Sequence, residues 1–153
     1  MMQSLNFDDG YKSFAINNDE SRVIRFNPSD PNQIQRYDEA LKKIMAAKDK
    51  IGEDIQLSPD GNVKAANDLE IAAKVLRDAD NVARENLNYM FNSNVYDVVF
   101  AGQSPFCMIK GRFLLEHFLS AVGPVITQSS KEAAAASERR MNKYLNKPRR
   151  KRR

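Results

Sequence analysis

Residues 5 to 31, LNFDDGYKSFAINNDESRVIRFNPSDP, restrict the fold more than any other part of the chain. Phe14 and Ile16 alternate with small or polar residues in YKSFAIN, and Ile24 and Phe26 do the same in SRVIRFN. Period-two alternation marks half-buried strands, and the intervening Asn17-Asn18-Asp19-Glu20-Ser21 has the side chains that tolerate tight turns. The stretch therefore predicts a β-hairpin over about 11–27. Asn27-Pro28-Ser29-Asp30-Pro31 then stops the strand and starts a helix. Asp30 or Ser29 can cap the free N–H groups, and Pro31 suits the first helical position, where its missing N–H costs nothing. A lone hairpin is marginal in water, so this one must lie on the helices that follow. Its edges still offer unpaired backbone groups to another chain, which suits docking and not catalysis.

The helices come in sequence. Pro31 to about Ile51 carries an apolar seam of Ile34, Tyr37, Leu41, Ile44 and Ile51, interrupted by Lys48 where the next seam residue belongs. Gly52 loosens the chain, and Ser58-Pro59-Asp60-Gly61 reads as a turn. A second helix over about 63–92 places Leu69, Ala72, Ala73, Leu76, Ala79, Ala83, Leu87, Met90 and Phe91 on one side, its alanines implying close approach of a neighbour. Asn92-Ser93-Asn94 ends it. A short helical piece, Val95 to Phe100, leads to a loop at Ala101–Pro105. A third substantial helix is expected over about 110–122, and Gly123-Pro124 should either kink it or restart it as a segment over 124–146 that leaves the core. The expected fold class is α+β, mainly α: an N-terminal β-hairpin packed on three or more helices in one compact domain, residues 1–138, with a disordered basic tail at 147–153.

Charge is divided along the chain. Residues 139–153 hold nine Lys and Arg and no acid, which leaves 15 basic against 20 acidic residues before them, a net charge of −5 on residues 1–138. The single cysteine, Cys107, excludes an internal disulfide framework and fits a reducing compartment. The first twenty residues contain no apolar run, so no secretory signal is expected. The longest apolar stretch, Phe113 to Ile126, is short and includes Glu116 and His117, so no membrane span is expected.

Signals for chemistry are sparse. His117, the sole histidine, reads as a half-buried structural side chain, and Cys107 as a small hydrophobe without the companions that a zinc site or thiol nucleophile needs. No glycine pattern cradles a phosphate. Asp8-Asp9-Gly10 lacks the spacing of a calcium loop and reads as a turn entering the first strand. Asp78 and Asp80, two residues apart on a helix, point to different faces. No enzyme activity, cofactor or metal is expected. The helices and hairpin make a thin core for so much apolar sequence, and self-association or capture of a client segment would use the surplus. Leu115 and Val125, in the dense Phe113–Ile126 segment, are the expected partner-binding residues. In the tail, Arg149, Arg150, Lys151, Arg152 and Arg153 form a cluster that could hold phosphate backbones by releasing counterions.

FDDGYKSFAINNDESRVIRFNPSD resembles the opening of tail assembly chaperones from tailed phages and prophages of Gram-positive bacteria, with their strand, Asn-Pro-[Ser/Thr]-Asp and helix junction at Asn27-Pro28-Ser29-Asp30. Val95-Tyr96-Asp97-Val98-Val99-Phe100 with Gly102 is similar to the family's Val-x-Asp-x-x-Phe-Gly segment, although Ala101 intervenes. Phe118-Leu119, Pro124-Val125-Ile126 and Asn142-Lys143-Tyr144 fall where the family has a hydrophobic helix and a helical end. The RRKRR ending is more basic than the family pattern. The resemblance implies a non-catalytic protein of the host bacterial cytoplasm that binds the tape-measure protein, a long helical ruler, and helps tail tube protein assemble around it. The alternative is a small binding module that uses its basic tail to hold nucleic acid.

Overall fold

A computed structural model describes residues 1–54 and 66–145. The expected turn at Ser58–Gly61, the start of the second helix at Val63 and the tail at 147–153 lie outside the described residues. The hairpin consists of β1 (Lys12–Ile16) and β2 (Asp19–Phe26), paired antiparallel with Phe14 opposite Ile24. Its turn is tighter than the sequence suggests: Asn17 and Asn18 both take positive φ, 51° and 63°, as a two-residue hairpin turn of matching twist requires. The pairing slips after Ala15, so that Ile16 meets Asp19. Asp19 accepts hydrogen bonds from the Ser21 N–H at 3.0 Å and the Ser21 hydroxyl at 2.6 Å, closing the irregularity.

That irregularity aims Arg22 at a helix end. Helix α3 (Val95–Phe100) receives the guanidinium at its last carbonyls, Nε donating to Val98 O at 3.0 Å and Nη2 to Val99 O. A cation suits this end because the carbonyls there have no partner inside the helix. At the other end of α3, the Asn88 side chain accepts from the Tyr96 N–H at 2.9 Å. Ala101, at φ 50°, closes the helix in the left-handed conformation, and its N–H donates to Asp97 O at 3.0 Å.

Helix α1 (Pro31–Asp54) begins as the sequence predicts, with the Asp30 carboxylate accepting from the Asn32 N–H at 2.9 Å. Gly52 does not end it. Its inward seam is Gln33, Ala40, Ile44 and Ile51, with Tyr37, Leu41 and Ala47 flanking, whereas Ile34 is turned out and 38% exposed. Gln33 takes the inward place because its amide caps α2 (Ala66–Phe91), Nε2 donating to Met90 O at 2.6 Å. The α2 seam runs through Ala72, Ala79, Ala83, Leu87 and Met90, and Leu69 and Leu76 are exposed instead of joining it. Alanines at the contact let the two backbones approach closely and leave the longer leucines beside the seam. Asn92, at φ 51°, terminates α2 in the left-handed conformation that asparagine tolerates after a helix.

A second, miniature hairpin follows α3 where no strand was expected. β3 (Met108–Ile109) and β4 (Arg112–Phe113) pair antiparallel around Lys110 and Gly111, both at positive φ, where a helix was expected from residue 110. Helix α4 (Leu114–Leu145) follows directly and runs through Gly123-Pro124 without restarting. Gly123 has a packing role, since a Cβ there would meet the Tyr37 hydroxyl of α1 at 3.0 Å. Glu116, in the first turn of α4, accepts from the Phe113 N–H at 3.4 Å in the manner of a capping box. It also pairs with Lys48 Nζ at 3.4 Å and Arg112 Nε at 3.7 Å. Lys48 interrupts the apolar seam of α1 because it reaches across to this carboxylate. Burial of Glu116 works against its charge, but the Phe113 N–H, Lys48 and Arg112 outweigh it and hold the carboxyl below the usual range.

The hydrophobic core joins these layers through aromatic rings. Phe14 stacks on Phe26 at 5.0 Å, Phe26 meets Phe91 edge-on at 4.9 Å, and Phe91 meets Phe118 at 6.1 Å. Phe118 contacts Phe100, which in turn meets Tyr96 at 5.2 Å, so one chain of rings links the hairpin, α2, α4 and α3. Such pairs add about 0.5–1.5 kcal/mol each beyond their buried area. With no tryptophan in the chain, phenylalanine supplies the large side chains.

Candidate functional site

Two concave surfaces stand out among the described residues. The larger is a groove of 1450 Å³ along the α1–α2 pair. Ala46 and Ala47 of α1 and Ile71, Val75, Ala79 and Val82 of α2 give it an apolar floor. Lys43, Lys50, Glu70, Lys74, Arg77, Asp78 and Glu85 stand around it, a rim of both signs. Ile71 is 56% exposed. At one end the Tyr89 hydroxyl donates to Glu39 at 2.7 Å, a bond that, with burial, raises the phenol's pKa and keeps it protonated. From Glu70 to Tyr89 the α2 wall is about 28 Å long at 1.5 Å per residue, which suits an extended helical ligand better than a compact metabolite.

The smaller surface is an apolar cleft of 250 Å³ between the hairpin and α4. Phe14, Ile16 and Phe26 line it from the strands, and Phe118, Ala121 and Val125 from the helix. His117 stands at its edge, its Nε2 2.8 Å from the Ile109 carbonyl oxygen.

The two expected partner-binding residues separate here. Val125 is half-buried and borders the cleft. Leu115 is 0% exposed, and its N–H donates to Pro105 O at 2.8 Å. The expectation that Leu115 presents an apolar group to a partner is therefore corrected: the short β3–β4 hairpin feeds it inward at the first turn of α4. The surplus apolar surface lies on Leu69, Ile71 and Leu76 of α2 instead. Arg149, Arg150, Lys151, Arg152 and Arg153 lie outside the described residues.

Polar clusters are accounted for by structure. Tyr96 donates its hydroxyl to Asp80 and lies 4.0 Å beneath the Arg84 guanidinium, which also pairs with Asp97 at 3.0 Å. Asn94 donates to the other oxygen of Asp97 at 3.0 Å, and these two bonds hold that carboxyl below its ordinary range. Burial, followed by the bond to Asp80, raises the Tyr96 pKa. The network fastens α3 to α2. Asp78 and Asp80 diverge as the helix period requires, Asp80 to Tyr96 and Asp78 to the groove. Asp8 and Asp9 form the anticipated turn, accepting from the Gly10 N–H at 2.9 Å and the Tyr11 N–H at 3.1 Å. Among the described residues no group of three or more His, Cys, Asp or Glu side chains converges on a metal-sized site. Among the same residues no helix is long and apolar enough to cross a membrane.

Comparison with protein-family models, with curated proteins and with solved structures returns no match to this chain.

Proposed function

We propose that this chain is a non-catalytic tail assembly chaperone of a tailed phage or prophage. In this reading it works in the host bacterial cytoplasm, holding helical segments of the tape-measure protein and recruiting tail tube protein for assembly around them. The α1–α2 groove is the observation that carries the reading. An amphipathic helix laid along an apolar floor between charged rims is a common mode of peptide capture, and alanine, valine and isoleucine side chains supply that floor here. The resemblance of the 5–31 region to the chaperone family supplies the identity of the client. Reversible shielding of apolar helical surface needs no acid, base or metal, only a groove that competes with aggregation.

Capture of tape-measure helical fragments encoded by the same genome tests the proposal, with the full chain as bait and a series of salt concentrations. Ile71→Asp and Ala46→Glu place charge on the groove at exposed positions and should abolish capture while leaving the thermal transition unchanged. Capture by the wild type should persist as salt rises, since apolar burial is not screened. Removal of residues 147–153 should leave it intact. If that removal abolishes capture while both groove variants retain it, the electrostatic reading replaces the chaperone one. Binding of nucleic acid through the tail would then fall steeply with the logarithm of salt concentration.

A further inference from the structure

Independently of what the groove holds, we infer that two copies of this chain dimerise by exchanging residues 3–7, each segment adding to the free edge of β1 and filling the cleft of its partner. Residues 1–10 form an arm without helix or strand, and its apolar side chains stand largely in solvent: Leu5 is 89% exposed and Phe7 79%. β1 pairs only with β2 among the described residues, so its outer edge presents unpaired backbone groups beside the mouth of the cleft.

Sequence parity fits the two together. Phe14 and Ile16 point from β1 toward the helices, and residues directly opposite in an antiparallel ladder share a face. With Leu5 opposite Phe14, Phe7 falls opposite Lys12 and Gln3 opposite Ile16, so Leu5 and Phe7 both point to the cleft side. In this register paired residue numbers always sum to the same value. A two-fold axis therefore satisfies both arms at once, which is the closed symmetry that stable homodimers favour. The register also puts Asp9 of one copy on the same face as Lys12 of the other, diagonally across the ladder, and Lys12 forms no ion pair among the described residues. An apolar cavity of about 150 Å³ accepts a benzene ring, so the 250 Å³ cleft has room for a ring and part of an aliphatic chain.

The arm does not reach its own cleft, because its base is drawn toward β2. Asn27 Nδ2 donates to Asp9 O at 3.3 Å, Arg25 pairs with the Asp9 carboxylate at 3.8 Å, and Arg25 also lies 4.7 Å over the Tyr11 ring. Gly10 fixes the bend at φ 76°, and a Cβ there would push aside the Asn27 amide that ties the arm, Nδ2 being 2.6 Å away. Closure within one chain would break these ties; exchange with a second copy leaves them in place.

Light scattering coupled to size exclusion tests the exchange on the full chain. The wild type should elute at twice 17.4 kDa. Leu5→Asp/Phe7→Asp should elute as a monomer and keep a cooperative thermal transition, since both side chains are exposed in the monomer. In a Cys107→Ser background, mixing a Leu5→Cys chain with an Ala121→Cys chain should give a disulfide-linked dimer that neither forms alone. A wild-type monomer at every concentration, or a dimer indifferent to the Leu5 and Phe7 substitutions, overturns the inference. So does a double cysteine chain that closes on itself as a monomer, because the arm then fills its own cleft.

Discussion

Gln33 is the polar side chain on which the α1–α2 pair turns, and its replacement has a calculable cost. It is 1% exposed, and Nε2 donates to the Met90 carbonyl at 2.6 Å. Met90 lies in the last turn of α2, where carbonyls have no partner within the helix. Gln33→Leu keeps most of the volume and removes the donor. A buried acceptor left unpaired costs about 1–3 kcal/mol, and Arg36 Nε, 3.5 Å from the same oxygen, can recover part of that. We therefore expect a loss of about 1–3 kcal/mol in urea unfolding followed by far-UV circular dichroism, with an unchanged m-value. For a chain of this size the melting temperature should fall by roughly 3–10 °C. Because Gln33 and Arg36 serve one acceptor, Gln33→Leu with Arg36→Met should cost more than the two single changes added together. A Gln33→Leu protein as stable as the wild type, with a double variant no worse than additive, would refute the assignment of this amide as the lock between the helices.

Three further outcomes follow from the same packing. Phe26→Ala, in the middle of the ring chain, should cost about 3–5 kcal/mol, against about 1 kcal/mol for Asp30→Ala, which loses only a helix cap; denaturant melts of the two separate core from cap. Glu116 has a lowered pKa in the fold, so its stabilising contribution is complete above the ordinary glutamate value of about 4.3 and is lost as pH falls through the lower folded value. Glu116→Gln should accordingly flatten the acid limb of the stability curve measured by urea melts across that range. A chain ending at Ser137 should keep its cooperative thermal transition, since among the described side chains of α4 the last in the core is Ile126.

Local rules carried the parts of the fold that depend on neighbours in sequence. Alternation at Phe14, Ile16, Ile24 and Phe26, the Asp30 cap and the Asn92 stop are each decided within a few residues, and the structure has all of them. The β3–β4 hairpin had a local signal too, a Lys110-Gly111 pair between Ile109 and Arg112, but strands of two residues are too short to show alternation. Gly123-Pro124 was expected either to kink the helix or to restart it, and the restart does not occur. A proline inside a helix costs about 3 kcal/mol in isolation, yet α4 continues through it, with Gly123 next to it packed under the Tyr37 hydroxyl. Tertiary contact overrode the local penalty.

The candidate site was less legible because helical periodicity defines an apolar stripe without fixing how the helix is rotated against its neighbour. On α1 the choice between Ile34 and Gln33 was settled by the carbonyl of Met90, fifty-seven residues away in sequence. On α2 the alanines at 72, 79 and 83 take the seam and Leu69 and Leu76 are left exposed. The displaced side chains and Ile71 then became the apolar surface. Leu115 went the opposite way, taken into the core by a hairpin that sequence did not reveal. Of the two residues expected to present the apolar surplus, Leu115 is buried and Val125 borders the cleft, so the larger part of the exposed apolar surface lies elsewhere. It resides in the α2 flank, in the α1–α2 groove and in the arm that carries Leu5 and Phe7. The proposed client capture and arm exchange would cover all three, whereas a folded monomer acting alone would leave each of them against water.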